Sequence, residues 1–285
     1  MQKSKLCTIV MVAAFGLLPF FISAQVGYLP PYFKDSNRLE KLSTAFPVVE
    51  KMVQKYAADN HFPGYSFGIV LDGKLVFTTS GGYTNLGTKT PATSGSMFRI
   101  ASMSKSFTAM AIVKLRDEGK LNLDDKVSKY IPEMKNQGLT TDAAPITIKD
   151  LLTHSAGFPE DNPWGDRQLE KSAQELLALI KKGIHFSTAT GLSYEYSNLG
   201  FTMLGYIIEK VSGKNYGAYI SENIWKPLQM EASWEFSSID DTKLAHGYRW
   251  INNSWEEEAL LHDGIYGAMG GMITSVASFS KYVSL

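Results

Sequence analysis

Phe98-Arg99-Ile100-Ala101-Ser102-Met103-Ser104-Lys105-Ser106-Phe107 is the stretch on which the reading of this chain turns. From Ala101 the pattern is helical through Glu118 and is stopped by Gly119. Residues three apart on a helix share one face, about 5–6 Å apart at Cβ, so Ser102 and Lys105 project together. Ser102 then sits at the helix N-terminus, where the dipole and unpaired N–H groups favour an alkoxide and the oxyanion it forms. Phe107, Met110, Ile112 and Leu115 bury the rest of the helix and hold the pair rigid. A serine hydroxyl is a weak nucleophile until a neighbouring base takes its proton. Burial disfavours the charged form of a lysine, which makes Lys105 a usable base.

A second stretch supplies the partners that such a serine needs. Tyr196-Ser197-Asn198 leads directly into an apolar helix, Leu199 to Ser212. Serine, lysine, tyrosine and asparagine together form an acyl-transfer site that uses no histidine. Each short motif is weak by itself, since Ser-x-x-Lys is expected about once in a chain of this length. Ser278 to Lys281 repeats it, and Tyr83-Thr84-Asn85 repeats Tyr-x-Asn. Context separates the copies: Ser102 opens a buried helix, whereas Ser278 lies inside a terminal helix and Tyr83 follows a hairpin.

Around these stretches the sequence alternates between strand and helix signals. Arg38 to Asp59 carries Leu39, Leu42, Phe46, Val49, Val53 and Tyr56 at helical spacing. Tyr65 to Leu71 and Leu75 to Ser80 are strand-like and joined by the hairpin signal Asp72-Gly73-Lys74. Residues 81–97 read as a crossing loop. Further helices are expected over 147–152 with Thr147 as cap, over 173–182, 199–212 and 216–224, and after Thr274 as cap. Tyr248 to Ile251 and Trp255 to Ala259 pair through Asn252-Asn253. The fold class expected is α+β, an antiparallel sheet flanked by helices with an inserted all-helical lobe.

At the N-terminus, Lys3 and Lys5 precede an almost wholly apolar run from Cys7 to Ser23, and Ile22-Ser23-Ala24 is an acceptable cleavage site. Residues 1–24 are therefore read as a signal peptide rather than an anchor: the run is shorter than the ~20 residues a spanning helix needs and contains Gly16 and Pro19. Residues 25–285 form the functional domain, roughly 260 residues, enough for one large domain or two packed lobes. The expected location is exported, periplasmic or secreted, with no stable membrane span after signal removal. The single cysteine leaves with the signal, so stability rests on the core and not on disulfides. The 28 basic and 28 acidic residues balance, which argues against a nucleic-acid or membrane-surface partner. No cysteine–histidine cluster has ligand spacing, so no metal and no cofactor are expected.

The ordered series of motifs resembles the serine β-lactamase-like and penicillin-binding-protein-like hydrolases, particularly the class C-related branch. Beyond residues 98–107 it includes Leu121-Asn122-Leu123-Asp124-Asp125, Ile148 to Gly157, Tyr194 to Gly200, Trp225 to Met230 and Gly270 to Ser275. The resemblance implies that Ser102 is acylated, that Lys105 and Tyr196 jointly act as base and acid, and that Asn198 binds the substrate amide and orients Lys105. It implies a small-molecule or peptide substrate: a D-amino-acid peptide, a small ester or a β-lactam. It gives His154 a structural role below the site. His262-Asp263-Gly264 imitates the family's third motif, His-x-Gly or Lys-Thr-Gly, but lies before Gly270-Gly271 where the motif should follow, so His262 reads as a loop residue. No such motif follows Thr274, and the resemblance therefore implies a chain that stops short of that strand. The alternative reading is a non-catalytic binding or sensing module or an inactive remnant. An unrelated α/β-hydrolase is disfavoured because no Gly-x-Ser-x-Gly elbow is present.

Overall fold

In the computed structural model, which describes residues 33–285 apart from Pro163, the hairpin signal becomes the first sheet. Strand β1 (Gly64–Leu71) pairs antiparallel with β2 (Lys74–Asn85), with Ile69 opposite Phe77. The turn has positive φ at both central residues, 49° at Asp72 and 73° at Gly73, the two-residue geometry that matches strand twist. The expected crossing loop is shorter than its sequence suggests. β2 runs on to Asn85, and β3 (Thr90–Pro91) joins it as a third strand. The glycines of this stretch did not break the strand because ladder pairing outweighs their low strand propensity.

The helix expected over 38–59 is two helices, α1 (Arg38–Ser43) and α2 (Phe46–Asp59). Pro47 explains the break: it suits the first turn of a new helix and cannot continue an old one. Phe46 packs its ring 4.8 Å from that of Phe77 on β2. The expected apolar face is only partly used, since Leu39, Leu42 and Tyr56 are exposed.

A second small sheet places β8 (Ile273–Thr274) between β4 (Phe98–Arg99) and β5 (Ala232–Ser233). Between β4 and β5 the chain is helical: α3 (Ser104–Asp117), α4 (Ile148–Leu152), α5 (Ala173–Lys182), α6 (Asn198–Ser212) and α7 (Tyr216–Ile220), the last followed by a wide turn over Ser221–Trp225. Sequence chemistry sets their ends. Thr147 with Asp150 and Ser172 with Glu175 form reciprocal caps at α4 and α5, and Gly213 ends α6. α6 is apolar on every side and lies in the centre, with Asn198 through Ile208 all buried. Phe107, Ile112 and Leu115 of α3 and Met203, Leu204 and Ile207 of α6 are fully buried, each worth about 1.5–3 kcal/mol of burial.

The hairpin β6 (Gly247–Ile251) and β7 (Ser254–Glu258) turns through Asn252 and Asn253 at positive φ, as their sequence requires. α8 (Gly267–Gly270) and α9 (Val276–Val283) complete the described residues. Thr274 does not cap α9; it lies in β8, and the next residue, Ser275, accepts the Ser278 N–H. The segments 1–24 and Cys7–Ser23 lie outside the described residues. No helix among the described residues is long and apolar enough to cross a membrane.

Candidate active site

Ser102 stands in a short 3-10 turn, Ala101–Met103, and α3 begins two residues later, at Ser104. The turn is sharp: Ala101 has φ 47°, in the left-handed region where a non-glycine residue is strained by about 1–3 kcal/mol. Two bonds hold it there. Ile100 N donates to Met272 O at 2.9 Å, and Met272 N donates to Ser104 Oγ at 3.1 Å. The end of β4, the turn and the segment that follows α8 are thus tied together, and Ser102 itself is exposed.

Lys105 is 6% exposed and its ammonium is enclosed by oxygens. Lys105 Nζ donates to Ser102 Oγ at 3.1 Å, Asn198 Oδ1 at 2.7 Å and Met269 O at 2.7 Å. The rings of Tyr196 and Phe201 lie 4.8 and 5.7 Å from it, adding cation–π attraction. Tyr196 Oη donates to Ser102 Oγ at 2.6 Å. The four sequence-selected residues therefore meet: Ser102 touches both Lys105 and Tyr196, and Asn198 touches Lys105.

Several residues that sequence reasoning did not single out hold this constellation. Asp161 lies across the N-terminus of α6, where its Oδ1 accepts Asn198 N at 2.7 Å and its Oδ2 accepts Leu199 N at 2.8 Å. A carboxylate there also complements the helix dipole. Asn162 Oδ1 accepts Asn198 Nδ2 at 2.6 Å, which leaves the Asn198 carbonyl oxygen to face Lys105. Asn198 is fully buried, and its Nδ2 has one of its two hydrogens engaged by Asn162. Ala268 O accepts Thr108 Oγ1 at 2.6 Å and fixes α8 to α3. Only the fold reveals these partners, because they come from loops and backbone carbonyls without a fixed spacing to the motifs. Replacing Asp161 with alanine should lower stability by about 2 kcal/mol, the upper range for a lost cap. Chemical denaturation compared with Asp161→Asn, which keeps an acceptor, measures it.

His154, with φ 56°, stacks on Tyr196 at 4.6 Å between ring centroids, and its Nδ1 accepts Ser197 N at 3.0 Å. Burial, reinforced by the charge of Lys105, lowers its pKa below the ordinary 6.5, against a weaker pull from Asp161. The sign follows: below about pH 6.5 the unfolded chain binds this proton and the folded chain resists it, so stability falls as pH falls through that window and is unaffected above it. His154→Asn should flatten the decline in melting temperature between pH 6.5 and 5; an unchanged slope would remove His154 from the balance.

The decoy motifs are accounted for elsewhere. Ser278 Oγ accepts Glu231 N at 2.6 Å, and Lys281 Nζ donates to Gln229 O. Asn85 Nδ2 lies 3.3 Å from His246 Nε2, and Tyr83 is exposed. His262 is an exposed loop residue paired with Glu235 at 3.0 Å. Among the described residues no group of three or more histidine, cysteine or acidic side chains could hold a metal ion.

A serine held between a lysine and a tyrosine, beneath a helical lobe inserted into a sheet, defines the architecture of a β-lactamase-type serine hydrolase. Residues 49–285 match the family described as Beta-lactamase, and the chain belongs to that family, whose members are serine hydrolases. Protein flp of Staphylococcus aureus strain COL is 36% identical over 205 residues, covering 70% of this chain and 40% of that protein. Beta-lactamase-like protein 2 of Dictyostelium discoideum is 28% identical over 262 residues, 89% of this chain and 48% of that one. The chain thus spans less than half the length of these relatives. Among solved structures, the octameric penicillin-binding protein homologue from Pyrococcus abyssi superposes with a TM-score of 0.71 at 30% identity, over 88% of this chain and 56% of that one. A class C beta-lactamase gives 0.71 at 25% identity, over 85% and 64%.

Proposed function

We propose that the protein is an exported serine hydrolase that forms an acyl-enzyme on Ser102 and cleaves an amide or ester. The observation that carries this reading is the meeting of Tyr196 Oη and Lys105 Nζ on Ser102 Oγ, at 2.6 and 3.1 Å. The pair takes the serine proton once one of its members has given up its own: a neutral Lys105 amine or a Tyr196 phenolate accepts the Oγ proton as Oγ attacks the substrate carbonyl carbon. The Ser102 N–H, in the first turn where backbone donors lack a partner within the helix, then stabilises the oxyanion. Collapse of that intermediate expels the amine or alcohol, which receives its proton from Tyr196, and leaves the acyl group on Ser102. Water, deprotonated by the same pair, releases the acid and restores the hydroxyl.

The substrate class is a D-amino-acid peptide, a small ester or a β-lactam. The apolar N-terminal run with its two leading lysines supports export. A panel of a p-nitrophenyl ester, a D-alanyl-D-alanine peptide and a chromogenic cephalosporin, each run with Ser102→Ala as control, tests the reading. Turnover of at least one that vanishes in the variant supports it. A folded protein that binds the peptide without turning over any of the three would favour a binding module instead.

A further inference from the structure

We propose that Asp263 is a positioning residue for Lys105: its carboxylate clamps Tyr216 against the first turn of α8 and so fixes the Met269 carbonyl at the lysine ammonium. The proposal rests on the serine-hydrolase reading of the site for its kinetic consequence, but the clamp itself is a matter of geometry. Tyr216 Oη donates to both carboxylate oxygens of Asp263, at 2.7 and 2.9 Å, and Tyr216 is 1% exposed. The carboxylate lies directly on the helix: a Cβ on Gly267 would fall 1.9 Å from Asp263 Oδ1 and 2.1 Å from Tyr216 Oη, and one on Gly271 would fall 3.2 Å from Oδ1. Glycine at both positions is what lets the clamp close.

What α8 delivers makes this matter. Two of its carbonyls face α3: Met269 O takes Lys105 Nζ and Ala268 O takes Thr108 Oγ1. Lys105 has no chain connection to α8, so the third oxygen around its ammonium is only as well placed as that short helix. Asp263 is also coupled to the strand that leads into the Ser102 turn. Arg99 of β4, three residues before Ser102, interacts with it electrostatically and donates through Nη2 to Leu261 O at 2.9 Å.

The groups around the carboxyl are Tyr216 from α7, Arg99 from β4 and Glu235 from the loop after β5. Glu235 accepts Asp263 N at 3.2 Å and holds His262, and Glu209 of α6 acts on Tyr216. Burial pushes the Asp263 carboxyl up to about 7, against the Tyr216 bond and Arg99 and with Glu235. Burial likewise raises Tyr216 well above its ordinary value, so the phenol remains the donor. Through pH 7 the clamp changes from a neutral acid with a phenol to a carboxylate with a phenol, and a charged acceptor makes roughly twice as strong a bond.

Asp263→Ala, Asp263→Asn and Tyr216→Phe in the full chain decide the matter through two readouts. The first is Ser102 modification by a fluorophosphonate, separated into its maximal rate and its half-saturating concentration. The second is the ¹³Cε resonance of Lys105 in lysine-labelled protein, assigned with Lys105→Arg. In Asp263→Ala the maximal rate should fall about tenfold or more, as expected for a misplaced reacting group, while half-saturation stays within about twofold. The Lys105 resonance should move. Asp263→Asn, which keeps an acceptor for Tyr216, should restore most of the rate and remove any inflection near pH 7. Tyr216→Phe, which removes the donor of the clamp, should move the Lys105 resonance as Asp263→Ala does; an unchanged resonance in Tyr216→Phe overturns the proposal, even if Asp263→Ala fails to fold. If the wild-type protein is not modified at all, the hydrolase reading fails, and the lysine resonance alone upholds or overturns the clamp.

Discussion

Lys105→Ala should lower the rate of Ser102 acylation by about 10³-fold, within the 10²–10⁴ that a positioned general base supplies. The ammonium is the hub of the site, bonded to Ser102 Oγ, Asn198 Oδ1 and Met269 O. Its loss leaves Ser102 with Tyr196 alone and leaves two buried acceptors without their donor, at about 1–3 kcal/mol each. Against that, removing a buried cation recovers a desolvation penalty of several kcal/mol. The two contributions oppose, so stability should change far less than rate. Comparing the fluorophosphonate rate constant with the urea midpoint separates them. Lys105→Arg should not rescue, because a planar guanidinium cannot place one nitrogen against three converging oxygens. Retention of a tenth or more of the rate in Lys105→Ala would remove lysine from the proton-transfer step.

Gly205→Val should damage both stability and rate from a position that touches no reacting atom. A Cβ on Gly205 of α6 would lie 2.4 Å from the Cβ of Ala268 on α8, so the two helices approach almost backbone to backbone. A branched side chain must push α8 outward. Overpacking of this kind costs up to about 3 kcal/mol, or ~6–12 °C in melting temperature for a domain of this size. The same displacement carries Met269 O and Ala268 O away from Lys105 and Thr108, and an ångström of misplacement can reduce rate about 10²-fold. Gly119→Ala provides the contrast. Gly119 has φ 69° with open space around it, so the substitution strains the backbone without touching α8. It should lower stability by about 1 kcal/mol and leave the acylation rate unchanged.

Much of this site was legible in the sequence because its chemistry is written in local spacings. Ser102 and Lys105 lie three residues apart, and Tyr196 and Asn198 stand at the start of a helix whose apolar residues demand burial, so burial of both helices brings their starts to one interior. The hairpin turns at Asp72-Gly73 and Asn252-Asn253 were readable for the same reason, since few residue pairs tolerate positive φ twice. Three things were not. The division of residues 38–59 at Pro47 was hidden by apolar spacing that continues across it. The extension of β2 through Gly81-Gly82 depends on pairing with β1 and β3, which is a property of the sheet. The support for Asn198 and Lys105 comes from Asp161, Asn162 and two backbone carbonyls of α8, and no sequence interval marks a carbonyl as an acceptor. Asp263 is the sharpest case. In the sequence His262-Asp263-Gly264 imitates a motif through its histidine and glycine, yet the side chain with a role in the packing around the site is the aspartate between them.

The most direct test of the central claim is the mass of the intact protein after exposure to a fluorophosphonate, followed by mapping of the modified peptide. A single adduct on the peptide carrying Ser102, absent from Ser102→Ala and retained in Ser278→Ala, is the result predicted. An unmodified folded protein, or an adduct on Ser278 or any other residue, would contradict it.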